Sequence, residues 1–403
     1  MKKIGLLPRI IAAITLGILL GRMLPMGAIR FFATFNGIFS QFLGFVIPLI
    51  IIGLVTPAIG DVGRGAGKLL VVTAAIAYFD TVLASLLAYG TGTLLFPGMI
   101  ESSLANAAVE KSTEIAPYFS VAIPPVCDVM SALVLSFMLG VGIAYGTLLH
   151  TLRGLALDFR AVINKTIEHA IIPLLPIYIF GIFLTMAATG EAFRIVVVFA
   201  KIIAVIFALH VVVLLYQFCA AGLIAGRNPL KLLWTMLPAY MTALGTSSSA
   251  ATIPVTLAQT RRNGVSEKIA GFTVPLCATI HLSGSAMKIT ACALAICLLN
   301  GIPHDFATFL HFVMMLGIVM VAAPGVPGGA IMAALGVLGS VLGFTPENQA
   351  LMIALYIAMD SFGTACNVTG DGAIALVIDR FHVPKPGGKA DGAGKAQHVP
   401  PKA

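Results

Sequence analysis

Apolar residues in this chain come in long unbroken runs separated by short polar segments. Leu43 to Ile59 and Ile202 to Tyr216 lie inside two of them. A helix crosses the hydrocarbon of a bilayer in about 20 residues, whereas barrel strands alternate over about 10. Continuous runs therefore predict membrane helices, and the polar breaks place six ordinary spans at 7–26, 36–59, 69–96, 128–150, 163–190 and 194–225. The opening MKKIGLLPRIIAAITLGILLG has the positive n-region of a secretory signal, but membrane runs follow it, so it is expected to be the first spanning helix. An acidic loop with Glu101, Glu110, Glu114 and Asp128 follows the third span and is expected outside. Residues 384–403, rich in Gly, Lys and Pro, are expected to be a disordered cytoplasmic tail.

The pattern changes in the second half. ALGTSSSAATIPVT lies between Pro229 and Leu257, and APGVPGGAIMAAL between Ile302 and Phe344. Each is an apolar stretch broken at its middle by small polar residues, Gly or Pro. A lipid-facing helix would not tolerate Pro324, Gly325, Pro327, Gly328 and Gly329 together. Irregular backbone at membrane depth must be buried in protein or line a cavity. Two such segments in one half point to a binding site built from discontinuous helices. The competing reading, loops between ordinary helices, fits poorly with flanks this apolar.

Composition agrees. Of 403 residues, 59% are hydrophobic and 10% charged, where a soluble domain carries about 25% charged. The net charge of +8 matters less than its placement. The segments on one side of the predicted spans hold 18 Lys and Arg, the alternating segments 4, and Lys201 and Lys288 lie inside apolar runs. This asymmetry places both termini in the cytoplasm. The charges mark loops and form no stripe, so no nucleic-acid partner is expected. The six cysteines form no C-x-x-C and read as small packing residues. The eight histidines show no H-E-x-x-H, and no nucleophile–base pair stands out, so the chain is not expected to be an enzyme. A substrate-gated ion channel and a transport-inactive sensor are the competing classes. A channel would need a continuous polar pore, whereas broken segments suggest an occluded site.

Asp360, Thr364, Asn367 and Asp371 fall at i, i+4, i+7 and i+11, along one stripe of a helix. Two carboxylates at membrane depth read as functional, unless they are helix-end charges at the interface. Helix N-termini at Ser247, Ser248 and Ser249 and at Val326 to Gly329 offer unpaired N–H groups for a carboxylate. Gly328 and Gly329 allow close backbone approach. The serines have a second reading as helix–helix hydrogen-bonding groups.

Taken in order, these motifs resemble the dicarboxylate/amino acid:cation symporter family, the glutamate transporter homologues. SSSAATIPVT is similar to the serine-rich tip of the family's first re-entrant hairpin, and PGVPGGAIM to the tip of its second. ATIHLSGSA occupies the place of the Asn-Met-Asp-Gly-Thr motif in the seventh helix, and DSFGTACNVTGDGA resembles the eighth. The resemblance covers residues 7 to 380. It implies an all-α membrane protein of inverted-repeat transporter fold, with eight transmembrane helices plus two re-entrant helical hairpins. Residues 1–383 would form one integral-membrane unit, with a scaffold mainly in 1–68 and 128–190 and a transport part mainly in 69–96 and 194–380. A homotrimer surrounded by lipid in the inner (plasma) membrane is implied. So is secondary symport of a small amino acid with a cation by alternating access, without an organic cofactor. By resemblance, Asp360 binds the substrate ammonium, Asn367 its α-carboxylate, and Thr364, Ser285, Val326 and Gly329 line the pocket. Asp371 would coordinate Na+ with Asn367, Thr279 and the backbone of Cys277 and His281.

Three departures bear on substrate and ion. The family's acidic-substrate members carry Arg where this chain has Gly363, and the first hairpin tip has none. Without a guanidinium fork a side-chain carboxylate loses its bidentate partner, which favours a small neutral amino acid. Lys288, three residues after Ser285, is either a substitute point charge for an acidic amino acid or dicarboxylate, or a structural residue. Asp360 itself speaks against plain dicarboxylates, which bring no ammonium. Finally, His281-Leu282-Ser283 stands in place of Asn-Met-Asp, so the carboxylate of one sodium site is missing at Ser283. Tyr78 and Thr81 match other ligands of that site, and Asp80 between them either supplies the missing charge or the site is lost. His281 then becomes a candidate proton carrier, so H+ stands beside Na+ as coupling ion.

Overall fold

The computed structural model describes residues 6–62, 67–104, 115–146, 149–190, 192–323 and 327–382. The described residues form helices and connecting segments, with no β-strand among them. The expected disordered tail, Glu110, Glu114, Pro324, Gly325 and Val326 lie outside the described residues.

The first half contributes α1 (Leu6–Leu20), α2 (Met26–Val62), α3 (Gly67–Leu104), α4 (Val129–Tyr145), α5 (His150–Thr166), a π turn at Ile167–Ile171, α6 (Ile172–Ala188) and α7 (Ala192–Ala225). The expected acidic loop is shorter than its sequence suggested. Helix α3 runs to Leu104, past Glu101, and Asp128 caps α4 by accepting from the Ser131 amide at 2.9 Å. The fifth expected span begins earlier, because α5, the π turn and α6 run on from one another between His150 and Ala188. Pro173 and Pro176 cannot donate into the helix ladder, and the wider π turn lies directly before them.

The second half is broken into shorter helices. These are α8 (Pro229–Thr235), α9 (Leu237–Thr246), α10 (Ser249–Arg262), α11 (Glu267–Ile280), α12 (Ser283–Asn300), α13 (Phe306–Ala322), α14 (Gly329–Leu342), α15 (Pro346–Ala358) and α16 (Asp360–His382). Helices α9 and α10 pack on each other across a two-residue break, and both pack on α16. Helices α13 and α14 likewise pack on each other. Helices α11 and α12 are separated only by His281–Leu282, and α15 meets α16 at a 64° bend at Met359.

Among the described residues, five helices are long and apolar enough to cross a membrane: Met26–Gly60, Leu69–Ile100, His150–Ala188, Val196–Ala225 and Glu267–Asn300. The bent α15–α16 pair makes a sixth if it is counted as one span. The expected first and fourth spans appear as the shorter apolar helices Pro8–Leu20 and Ser131–Tyr145. Helix α12 is enclosed along nearly its whole length, packed on α3, α7, α13, α15 and α16. By contrast, α3 and α7 turn large apolar side chains outward, among them Phe79, Leu94, Val211 and Leu223. Water would not favour such a surface, whereas lipid solvates it. Four of the cysteines (Cys277, Cys292, Cys297 and Cys366) are buried packing residues, while Cys219 is exposed and Cys127 half-buried.

Candidate functional site

Where the chain breaks, polar side chains converge on α12 and α16. The first break is Ser247–Ser248. Ser247, left-handed at φ 51°, is the one non-glycine residue with positive φ among the described residues. Such a conformation costs about 1–2 kcal/mol, so other contacts must hold it. The Ser247 hydroxyl lies 2.6 Å from that of Ser361 at the start of α16. Ser248 caps α10 by accepting from the Ala251 amide at 3.3 Å, and its carbonyl accepts from Thr252 Oγ1 at 2.8 Å. Ser249 is buried as the first residue of α10.

The second break leads into α14 through Gly328, at φ 75°, and Gly329. The Gly328 amide donates to Asp360 Oδ2 at 2.8 Å. Asp360 thus joins the tip before α14 to the head of α16.

Its other oxygen faces Lys288. The ammonium lies 3.4 Å from Asp360 Oδ1, 3.2 Å from the Met359 carbonyl and 3.5 Å from that of Tyr356, with its nitrogen 3.6 Å from the Tyr356 ring centroid. The last carbonyls of α15 carry the negative end of its dipole, and the ring face adds cation–π attraction. Lys288 is completely buried. A Cβ at position 363 would sit 2.7 Å from Lys288 Nζ. The space a side chain at Gly363 would enter is therefore filled by the Lys288 ammonium. Lys288 thus lies against Asp360, which already has an ammonium from within the protein. The sequence argument that Asp360 requires one from the substrate loses its force.

The third break sits at His281–Leu282. Asn367 closes it by accepting from the Gly284 amide at 2.8 Å and the Ser285 amide at 3.2 Å, and by donating to Ser285 Oγ at 3.0 Å. Tyr356 donates to the same hydroxyl at 3.0 Å. Asn367, expected on resemblance to hold the substrate carboxylate, caps the head of α12 with its side-chain oxygen. Thr364 is buried one turn before Asn367.

Beneath this break lies a cluster that sequence offered only as separate candidates. His281 Nδ1 is 2.9 Å from Asp371 Oδ1, and Nε2 is 2.8 Å from Asp80 Oδ2. Asp80 also accepts from the Tyr216 hydroxyl at 2.8 Å and from Gln217 Nε2 at 2.6 Å. Each ring nitrogen faces a carboxylate oxygen, so a proton must lie in each gap. Two carboxyl groups and one imidazole sharing two such protons carry a net charge of −1. Asp371 Oδ2, Gln217 Oε1 and Thr81 Oγ1 are buried and have no hydrogen-bond partner among the described residues. Gln217 Oε1 lies against Gly370, next to Asp371. Unpartnered oxygens around a net negative charge suit a hard monovalent cation such as Na+.

Other expected ligands stand differently. Tyr78 donates to the Met314 carbonyl at 3.1 Å, so its hydroxyl points to α13. Thr279 Oγ1 bonds back to the Leu276 carbonyl at 2.8 Å, and the Cys277 carbonyl receives the His281 amide at 2.9 Å. Sequence reasoning missed Tyr216, Gln217 and Tyr356. Gln217 had a signal, an amide inside an apolar run, which costs free energy at membrane depth unless it is bonded.

The sodium:dicarboxylate symporter family matches residues 6–381 of the chain. The serine/threonine transporter SstT of Acinetobacter baumannii is 28% identical over 399 residues, covering 94% of this chain and 97% of that protein. The neutral amino acid transporter B(0) of Mus musculus is 30% identical over 167 residues, 40% of this chain and 30% of that protein, and that of Rattus norvegicus matches equally. With the family match spanning nearly every described helix, the chain belongs to the sodium:dicarboxylate symporter family.

Proposed function

We propose that this multi-pass membrane protein takes up a small neutral amino acid, serine or threonine, by secondary symport with Na+. The observation that carries the substrate class is the Gly363–Lys288 arrangement. The cation is drawn back to the level of the α16 backbone and engaged by α15 carbonyls, a ring and Asp360. It cannot project into the pocket as a guanidinium from position 363 would. That leaves Asp360 without a projecting guanidinium beside it for a side-chain carboxylate. The relatives named for serine, threonine and neutral amino acids agree with it.

In this reading Asp360 takes the substrate ammonium, while the tip at Ser247–Ser249 and the head of α14 at Gly329 present N–H groups to its carboxylate. Thr364 and Ser285 line the space between. Na+ sits against Asp371 Oδ2, with the other unpartnered oxygens, Gln217 Oε1 and Thr81 Oγ1, as further donors. The eight-span, two-hairpin architecture supports alternating access. The α9–α10 and α13–α14 pairs are the re-entrant hairpins, and α14 with its Gly-rich tip is the gate. The early helices form the scaffold of a homotrimer in the plasma membrane, with both termini cytoplasmic. One sodium ion entering at 100 mV gains about 2.3 kcal/mol from the potential alone.

A thermal-shift comparison tests this. Serine or threonine with Na+ should raise the unfolding temperature of the purified protein, while either with choline should not, because a ligand of the folded state stabilises it by mass action. Stabilisation by serine in choline at pH 5 but not pH 8 would instead make the coupling ion H+, carried at His281.

The second reading, an acidic substrate held by Lys288, rests on the same ammonium. Aspartate or succinate stabilising the wild-type protein more than serine would establish it. Under the first reading, Gly363→Arg alone meets Lys288 and fits poorly, whereas Lys288→Met/Gly363→Arg opens the space. The double variant should prefer aspartate over serine by about tenfold or more, the scale of one bidentate charged contact. A folded double variant without aspartate binding would displace the pocket from this position.

A further inference from the structure

Lys288 forms a buried ion pair with the one carboxylate assigned to the substrate's ammonium. Asp360 thus has a cation on one oxygen and the Gly328 amide on the other. The separation of 3.4 Å is longer than the 2.7–2.9 Å of a tight charge-assisted bond. Lys288 is held more closely elsewhere, by the Met359 carbonyl and the Tyr356 ring. Its ammonium therefore has a seat of its own and shares Asp360 loosely. A second ammonium, arriving with substrate, can take the carboxylate without leaving Lys288 stranded.

We propose that Lys288 is a tethered stand-in for the substrate's ammonium, which neutralises Asp360 while the empty carrier returns across the membrane. A symporter completes its cycle only if the unloaded site also changes sides. An ionised carboxylate without a partner is costly to hold at membrane depth. With substrate bound, its ammonium partners Asp360; with substrate gone, Lys288 does. The pair is thus neutral in both halves of the cycle, and no small cation has to be recruited from the cytoplasm for the return. Tyr356 and the bend at Met359 are positioning elements, since they set the Lys288 seat within reach of Asp360. The inference rests on the reading of Asp360 as the ammonium site.

The test separates the return step from the loaded step. Proteoliposomes containing the full chain are assayed with serine for net uptake into serine-free, choline-filled vesicles, and for exchange into vesicles preloaded with serine and Na+. Exchange needs no empty return. For the wild-type protein, net uptake should proceed within about threefold of exchange with choline as the sole internal cation, because no single return barrier dominates. In Lys288→Met the ratio of exchange to net uptake should rise about tenfold or more, as expected for an unpaired buried carboxylate. In the smaller Lys288→Ala, methylammonium inside the vesicles should restore net uptake by entering the vacated seat. Lys288→Arg, which keeps the charge, should hold the ratio near wild type. Equal loss of exchange and net uptake in Lys288→Met, or no change in either, would overturn the proposal. If the uncharged variants do not fold, the wild-type assay decides, and net uptake that stalls until ammonium or methylammonium is added inside overturns it. A wild-type protein showing neither exchange nor net uptake of serine refutes the functional reading itself.

Discussion

Replacing Asp360 by Asn is expected to abolish sodium-driven serine uptake and to lower serine affinity about 100-fold or more, the cost of losing one partner of a buried charge pair. The structure adds a complication, because the same change strips Lys288 of its carboxylate. Two causes would look alike in the single variant: an ammonium site lost, or a pocket altered because Lys288 has lost its neighbouring carboxylate. The double variant Asp360→Asn/Lys288→Met separates them. It removes both charges at once, which in buried pairs is far milder than removing one. If the ammonium site is the cause, the double variant folds as stably as wild type and still fails to bind serine in a thermal-shift titration. Recovery of serine binding in the double variant would show that Asp360 is not the ammonium site.

Asp371→Asn should have the second large effect, on Na+ rather than on substrate. Asp371 Oδ2 is a buried acceptor without a partner, on a cluster that carries a net negative charge. Neutralising it leaves nothing for a cation to balance. The Na+ concentration needed for serine to stabilise the protein should rise about 100-fold or more, the scale of a lost buried charge contact. Asp80→Asn makes an informative comparison. Asp80 already accepts three hydrogen bonds, from Tyr216, Gln217 and His281, so it has less capacity left for a cation than Asp371, whose Oδ2 accepts none. Its replacement should weaken Na+ dependence less than that of Asp371. A larger effect at Asp80 in the same titration would move the cation to the α3 side of His281.

Much of this was legible in the sequence, because the relevant signals are local. The polar stripe Asp360–Asp371 repeats at helical spacing, and a run of Gly and Pro in an apolar segment has few structural outlets at membrane depth. The vacancy at Gly363 and the oddity of Lys288 could each be read one residue at a time. What could not be read was their fit to each other, since position 288 belongs to α12 and position 363 to α16. The same holds for His281, whose two carboxylates come from α3 and α16. Spacing along one helix says nothing about which face of another helix it meets. Gln217 stayed hidden because its neighbours read as lipid-facing, and Asn367 was assigned to substrate where its oxygen closes the break in α12. The lengths of the first and fourth spans were overestimated because hydropathy runs do not mark where backbone hydrogen bonding stops.

The overlap of the Lys288 ammonium with the space above Gly363 also constrains how this protein can change over generations. A side chain gained at position 363 while Lys288 persists meets an occupied site, so that order of mutation passes through a disabled intermediate. Loss of the lysine first leaves Asp360 unpaired and slows net uptake, but exchange persists and the space is open for a later arginine. Lineages moving from neutral to acidic substrates through these two positions are therefore expected to travel in one order, position 288 before position 363, and the two substitutions should be strongly non-additive in fitness.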